Sequence, residues 1–286
     1  MAGRPLPGHP HAGAQPSTPA SGYPAAKPQE PPAPTTRFAG APGYPTRRAR
    51  YADSQGQARG NLSLAIDNSL GFLNLALASD GKLLEERHGT FENPTSELLP
   101  AKVRQLIADH GHQINDVGLL VVTLGPGSFT GIRVALAFAK GLSAGLGIDL
   151  VGVATLDILA YPFRFLEGHY VCPLIDAKKG EVFLALYHAS QNRLERCTEY
   201  QSVRPSAVAA IVREPCVCFG SGLRLSEEGL ALVQGVTLIQ DDFLRVRGEA
   251  LLRLGLEAHA AGAQKEPFPI YGRRSEAEIK FNVTVQ

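Results

Sequence analysis

Residues 117–147, VGLLVVTLGPGSFTGIRVALAFAKGLSAGLG, decide how the rest of the chain is read. They open with Val117–Thr123, an apolar, β-branched run with almost no polar alternation, bounded by a Gly/Pro turn. Such a run predicts a strand covered on both faces. A sharp loop follows, Gly125-Pro126-Gly127-Ser128-Phe129-Thr130-Gly131, and then a helical stretch whose only charges are Arg133 and Lys140. A helix that is apolar nearly all round is covered on more than one side. One side must lie on its own sheet, and the other needs a second surface.

The small residues narrow the choice. Gly131, Ala135 and Ala139 fall four apart, as do Ala137, Gly141 and Gly145, so each set forms a ridge along one face. Larger side chains, Val134, Phe138, Leu142 and Leu146, occupy another face at similar spacing. Glycine inside a helix costs roughly 0.5–1 kcal/mol relative to alanine, and close approach of a second helix backbone offsets that cost. Small-residue ridges of this kind are familiar from helix pairs in membranes. Two readings fit: tight packing within its own domain, or contact with a helix of another polypeptide.

Outward from this stretch, the first 59 residues contrast with the remainder. Twelve of the 21 prolines lie in the first 50 residues, among Ala, Gly, Ser and Thr. Without apolar periodicity such a segment cannot bury enough surface to offset its ordering entropy, so residues 1–59 are expected to be disordered. They carry seven Lys/Arg against two Asp/Glu, leaving 21 against 25 in residues 60–286, so a net +1 hides a basic tail on a mildly acidic body. The proline density argues against an amphipathic transit peptide and favours a natural extension or a misassigned start. No signal-peptide core is present, and Lys140 and several glycines break the Val134–Leu150 region, so no span is expected and the expected location is the cytoplasm. Cys172, Cys197, Cys216 and Cys218 lack zinc spacing, and His110-Gly-His112 is not an i, i+4 ligand pair, so reduced thiols and no metal are expected.

The folded body starts near Asn61. Strands are expected over 62–66, 72–78 and 82–89, joined by the turns Asp67–Gly71 and Ser79–Gly81. Thr95 or Ser96 can cap a helix to about His110 with an apolar stripe of Leu98, Leu99, Val103, Leu106 and Ile107, which Pro100 starts or kinks. A strand at 150–153 and a helix at 155–165 complete a mixed sheet with helices on its faces, the order of a ribonuclease-H-like unit. The order partly recurs: Tyr170–Asp176 again ends in Asp, then come a turn at Ala177–Gly180, strands at 181–188, 199–203 and 217–220, and a helix at 205–213. The expected fold is therefore α/β, a duplicated ribonuclease-H-like architecture of the actin, sugar-kinase and Hsp70 type. It divides into a lobe over 60–166 and a smaller, reduced lobe over 167–286.

Four stretches carry a resemblance: Ile66-Asp67-Asn68-Ser69, Gly125–Arg133, Ile175–Glu181 and Pro269-Ile-Tyr-Gly-Arg273. In order and spacing they resemble the TsaB (YeaZ) family of bacterial tRNA threonylcarbamoyladenosine biosynthesis proteins, over about residues 61–280. The sequence departs from that pattern at Asn68, Pro94 and Gly272. The resemblance implies a non-catalytic partner of TsaD, the enzyme that moves a threonylcarbamoyl group to N6 of adenosine 37 of tRNA, with the ATPase TsaE joining the assembly. It also implies that the helix after Thr95 and the helix after Ser128 meet equivalent TsaD helices in a bundle. Gly127, Ser128, Phe129, Thr130, Gly131, Arg133, Val134, Ala137, Phe138, Gly141 and Gly145, with Leu99 and Val103, are the implied docking residues. No cofactor of its own is expected; ATP or ADP and a metal ion belong to the partner or the complex interface. The resemblance further implies that tRNA is reached through the complex, that no membrane is involved, and that two copies can pair in the absence of TsaD.

Independent chemistry has less behind it. The catalytic relative carries His-x-x-x-His on its first helix, where this chain reads Pro94–Ala101 without histidine. Asp67 and Asp176 stand where actin-like ATPases place carboxylates, which keeps an ATPase or small-molecule kinase as the alternative, although aspartate at a strand end is also a common turn former. The Gly125–Gly131 loop is neither Walker A nor G-x-G-x-x-G, and capping of the helix by Ser128 or Thr130 accounts for its polar residues. A body of net −4 lacks the basic footprint of direct tRNA binding.

Overall fold

The computed structural model describes residues 60–89, 95–240, 245–263 and 266–272. The expected disorder of residues 1–59, the side chains of Thr95 and Ser96, and the departure at Pro94 lie outside the described residues, as does Arg273.

The first sheet grows from β1 (Leu62–Asp67), β2 (Leu73–Ser79) and β3 (Lys82–Gly89), an antiparallel meander in which Ile66 faces Leu75. After α1 (Thr95–Asp109), β4 (Val117–Thr123) returns parallel to β1, and after α2 (Phe129–Leu146), β5 (Asp149–Val153) lies parallel to β4. The strand order is β3-β2-β1-β4-β5. All seven β4 residues are buried, because period-two alternation sends Leu120 and Val122 to one face and Leu119 and Val121 to the other. On the first face lie α1, through Leu99, Val103, Leu106 and Ile107, and α2, through Ala135, Leu136 and Ala139. α1 runs unbroken through Pro100, which sits in its first turns.

β3 also fixes the end of α1. The Arg87 guanidinium donates twice to Glu85, at 2.6 and 2.9 Å, and once to Asp109 at 2.7 Å, while the His110 ring lies 2.9 Å from Glu85. The hydrogen bonds from Arg87, then His110, hold the Glu85 carboxyl down at about 2, below its ordinary 4.5. A depressed acid contributes stability that is complete above its unfolded value and is lost as pH falls toward the folded one. We therefore expect Glu85→Gln to melt below the wild-type chain at pH 7, with the gap closing between pH 4.5 and about 2. Melting curves across that range check this; a gap unchanged at pH 2 argues against it.

The second sheet repeats the first. β6 (Tyr170–Lys178) takes the place of β1, β7 (Glu181–Leu184) and β10 (Gln201–Val203) add antiparallel strands, and β11 (Cys216–Phe219) and β12 (Val236–Ile239) add parallel ones. Its path, β10-β7-β6-β11-β12, has the same connectivity. The duplicated ribonuclease-H-like fold stands, and the reduction lies in its helices rather than its strands. The helix expected over 205–213 is a 3-10 segment, Pro205–Ala210, and α4 (Leu223–Leu230) has eight residues. The strand expected over 181–188 breaks at Ala185-Leu186 and resumes as β8 (Tyr187–Ser190), which pairs with the start of β6. β8 then turns through Gln191 and Asn192, both in the left-handed region that two-residue hairpins require, into β9 (Arg193–Arg196). Cys172, Cys216 and Cys218 are buried in this sheet and Cys197 is half-buried; none is in a disulfide.

One expectation is corrected here. α3 (Thr155–Ala160) stops earlier than the expected 155–165, giving way to a 3-10 turn that contains Pro162. All six of its residues are buried, with Ile158 toward the first sheet and Leu156, Leu159 and Ala160 toward the second. The helix α5 (Gly248–Ala260), which the sequence reading did not identify, lies in the range 167–286 and packs on the free face of the first sheet. There Ala250, Leu251, Leu252 and Leu254 cover Ala65, Leu119, Val121 and Val151, each buried leucine contributing about 1.5–3 kcal/mol. A sheet apolar on both faces needs two helical layers, and α5, with Ile158 of α3 beside it, supplies the second.

Candidate functional site

The loop before α2 is built against the first turn of the sheet. Leu124 N–H donates to Val153, Ser128 N–H donates to the Ser69 carbonyl at 2.7 Å, and the Gly125–Pro126 bond is cis. Ser128 is the N-cap, its Oγ accepting from Gly131 N–H at 3.2 Å, which satisfies one orphan donor of the first turn. Gly131 sits so close to Asn68 that a Cβ there would overlap the Asn68 carbonyl oxygen outright. We expect Gly131→Ala to destabilise the chain by about 2–3 kcal/mol, because a backbone carbonyl cannot rotate away as a side chain can. Chemical denaturation measures this, and a loss below about 0.5 kcal/mol would contradict the packing.

The expected docking residues divide into two groups. Gly131 is buried against Asn68, and Leu99 and Val103 are each 1% exposed in the core beneath α1. These three are corrected: their faces are covered by the chain's own sheet and cannot meet another protein. The Gly131–Ala135–Ala139 ridge is therefore internal. The other ridge is not. Ala137, Gly141 and Gly145 are exposed, and a Cβ at Gly141 or Gly145 would have nothing within 4 Å. Ser128, Phe129, Thr130 and Arg133 are exposed beside them, while Gly127, Val134 and Phe138 are half-buried. By length and composition α2 is also apolar enough to cross a membrane, contrary to the sequence expectation, but one of its faces is committed to the sheet.

A neighbour that the sequence did not announce borders this face. The segment 266–272 runs beside α2, where the Phe129 and Tyr271 rings lie 5.2 Å apart and Arg133 Nε donates to Tyr271 Oη at 3.0 Å. The Arg133 guanidinium lies 3.7 Å from the Phe129 ring centre, and Lys140 Nζ lies 4.9 Å from that of Phe268. The Pro269–Tyr271 motif was visible in the sequence; its partner, 138 residues earlier, was not.

Both aspartates have internal hydrogen-bond partners. Asp67 is fully buried. Its Oδ1 accepts from Ser69 N–H, Ser69 Oγ and Thr123 Oγ1 at 2.9, 2.6 and 2.8 Å, and its Oδ2 accepts from Asn74 Nδ2 at 2.6 Å. Burial pushes this carboxyl up, against the pull of those four bonds. Asp176 accepts from Lys178 N–H and Lys178 Nζ, both at 2.7 Å, and the Lys178 side chain holds its carboxyl below the usual range. Each carboxylate organises its own turn. A third buried carboxylate, Asp157, accepts from Tyr187 Oη at 2.7 Å and Tyr200 Oη at 2.8 Å, and so ties α3 to the second sheet.

The family model described as TsaD, tRNA N6-adenosine threonylcarbamoyltransferase, matches residues 92–215, less than half the chain. The tRNA threonylcarbamoyladenosine biosynthesis protein TsaB of Bacillus subtilis is 31% identical over 228 residues, 76% of this chain and 96% of its own. The TsaB of Escherichia coli is 28% identical over 222 residues, 75% and 95% of the two chains. Among solved structures, a Pseudomonas aeruginosa protein with similarity to peptidase YEAZ superposes with a TM-score of 0.64 at 26% identity, over 74% of this chain and all of that one. YeaZ from Pseudomonas aeruginosa gives 0.63, also at 26% identity, over 74% and 99%. With the doubled strand order, the Gly125–Arg133 loop and near-complete coverage of these relatives, the chain belongs to the TsaB (YeaZ) family.

Proposed function

We propose that this chain is a non-catalytic docking subunit for TsaD, and that the exposed side of α2 is where TsaD seats. As a TsaB-family protein it takes part in tRNA threonylcarbamoyladenosine biosynthesis; the scaffold role is the finer reading. One observation carries it: Ala137, Gly141 and Gly145 form an uncovered strip on an otherwise apolar helix, with open space above both glycines. Two helix backbones approach closely only where side chains are this small, and the glycines' cost to the lone helix is offset when a partner packs there. α1, lying alongside α2 on the same face of the sheet, would form the second helix of a four-helix contact. Under this reading ATP or ADP and any metal ion are held by the partner or at the shared interface, TsaE joins the pair, and tRNA is reached through the complex. Without TsaD the strip pairs two copies of this chain. Because Asp67 and Asp176 are both committed to internal donors, we favour this over an ATPase or kinase acting alone. Size-exclusion chromatography with light scattering of the chain mixed with TsaD is the test. Co-elution as a heterodimer is expected, and separate elution at micromolar concentrations rejects the proposal.

A further inference from the structure

The segment 266–272 and α2 share more than an edge. Tyr271 lies at Arg133 and Phe268 lies at Lys140. Seven helical residues rise about 10 Å, and three extended residues span about the same distance, so the segment runs antiparallel along two turns of α2. It is built in rather than draped: Ile270 N–H donates to the Leu124 carbonyl at 2.7 Å, Pro267 is buried, and the room for Ile270 is made by Gly125, whose φ is +98° and whose Cβ would stand 2.5 Å from the Ile270 oxygen. At about 100° per residue, Arg133 and Lys140 fall on one side of Ala137, and Gly141 and Gly145 fall on the other. The small-residue strip therefore has a rim of aromatic rings and cations along one flank.

That rim is partly exposed, with Lys140 and Tyr271 half-buried, and carries positive charge. Phe129 is 53% exposed and Phe268 66% exposed. Among the described residues neither Arg133 nor Lys140 has a carboxylate partner; each lies over a ring instead. With Nε given to Tyr271, the terminal nitrogens of Arg133 keep their donors. An arginine already held over aromatic rings loses little further freedom when it accepts a carboxylate, and its attraction to the rings grows once water is displaced.

We propose that residues 266–272 form, with α2, one composite docking surface, and that an acidic segment of the partner seats a carboxylate against Arg133 and Lys140 while its apolar side chains cover Phe129 and Phe268. This rests on the docking reading above and adds the flank, the charge and Tyr271 as the residue that positions Arg133. Calorimetric titration of the full chain with TsaD, at about 50 and about 300 mM salt, tests it. Lys140→Glu is expected to weaken binding on the order of tenfold at low salt and less at high salt, because exposed charges are screened beyond about 10 Å at 0.1 M. Lys140→Arg should restore wild-type affinity, Phe268→Ala should lose about fivefold, and Tyr271→Phe about threefold, with the wild-type salt dependence flattened. If Lys140→Glu and Phe268→Ala bind like wild type while Gly141→Leu does not bind, the flank lies outside the interface and this inference falls, leaving the scaffold reading intact. Failure of the wild-type chain to bind removes both. Binding of tRNA by the chain alone, lost in Lys140→Glu, would overturn the acidic-protein assignment in favour of phosphate contact.

Discussion

The substitution Gly141→Leu is expected to weaken pairing with TsaD by 10- to 100-fold or more while leaving the chain folded. The two effects separate because the site is empty on one side only. Within the chain a Cβ at Gly141 meets nothing within 4 Å, so the leucine has room, and it replaces the poorer helix former by about 0.8–1 kcal/mol. The melting temperature should therefore hold or rise slightly. Against a partner helix the same side chain pushes two backbones apart, and overfilling of a packed contact costs roughly 1–3 kcal/mol, about tenfold per 1.4 kcal/mol. Ala137→Phe should act in the same direction. Calorimetry or co-elution with TsaD reads the loss, and normal affinity in a folded Gly141→Leu chain would falsify the assignment of this strip. Gly131→Ala behaves oppositely, harming the fold first, because its ridge faces inward.

Asp67→Ala should be among the most damaging single changes to stability, with a loss of about 3 kcal/mol or more. The carboxylate is the acceptor for four donors, Ser69 N–H, Ser69 Oγ, Thr123 Oγ1 and Asn74 Nδ2, all buried with it. Truncation leaves those donors without partners, and each buried unsatisfied group costs about 1–3 kcal/mol before local relaxation. In a domain of this size 1 kcal/mol moves the midpoint by about 2–4 °C, so a drop of roughly 10 °C is expected. Asp67→Asn should be milder but still harmful. If its oxygen keeps the Oδ1 contacts, its amide meets the Asn74 amide donor to donor. An Asp67→Ala chain that melts at the wild-type temperature would show that the four bonds are not what this residue is for, and would reopen the nucleotide reading.

Much of the architecture could be read from residues alone because it is periodic. The run Val117–Thr123 is β4 residue for residue, since a strand buried on both faces leaves no other pattern. The α1 stripe, the cap at Ser128 and the order of elements through the first sheet follow from equally local signals. The second sheet was read less completely: Leu223–Leu230, Val236–Ile239 and Gly248–Ala260 went unrecognised, and a smooth strand over 181–188 concealed a break that lets β6 pair with two different neighbours.

The candidate site divides along the same line. Helical spacing placed two small-residue ridges on α2, but spacing has no sign, and only packing against Asn68 and the sheet decided that one ridge is internal and the other open. Leu99 and Val103, implied as contacts by the family resemblance, belong to the apolar stripe that α1 turns toward the sheet. Local chemistry, in short, settled which residues are helix, strand, turn and cap, because those choices depend on neighbours within a few positions. The return of α5 to the first sheet, the four donors gathered on Asp67, and the pairing of Arg133 with Tyr271 were decided by tertiary structure. Contacts between residues as far apart as 138 positions leave no periodic trace in a single chain.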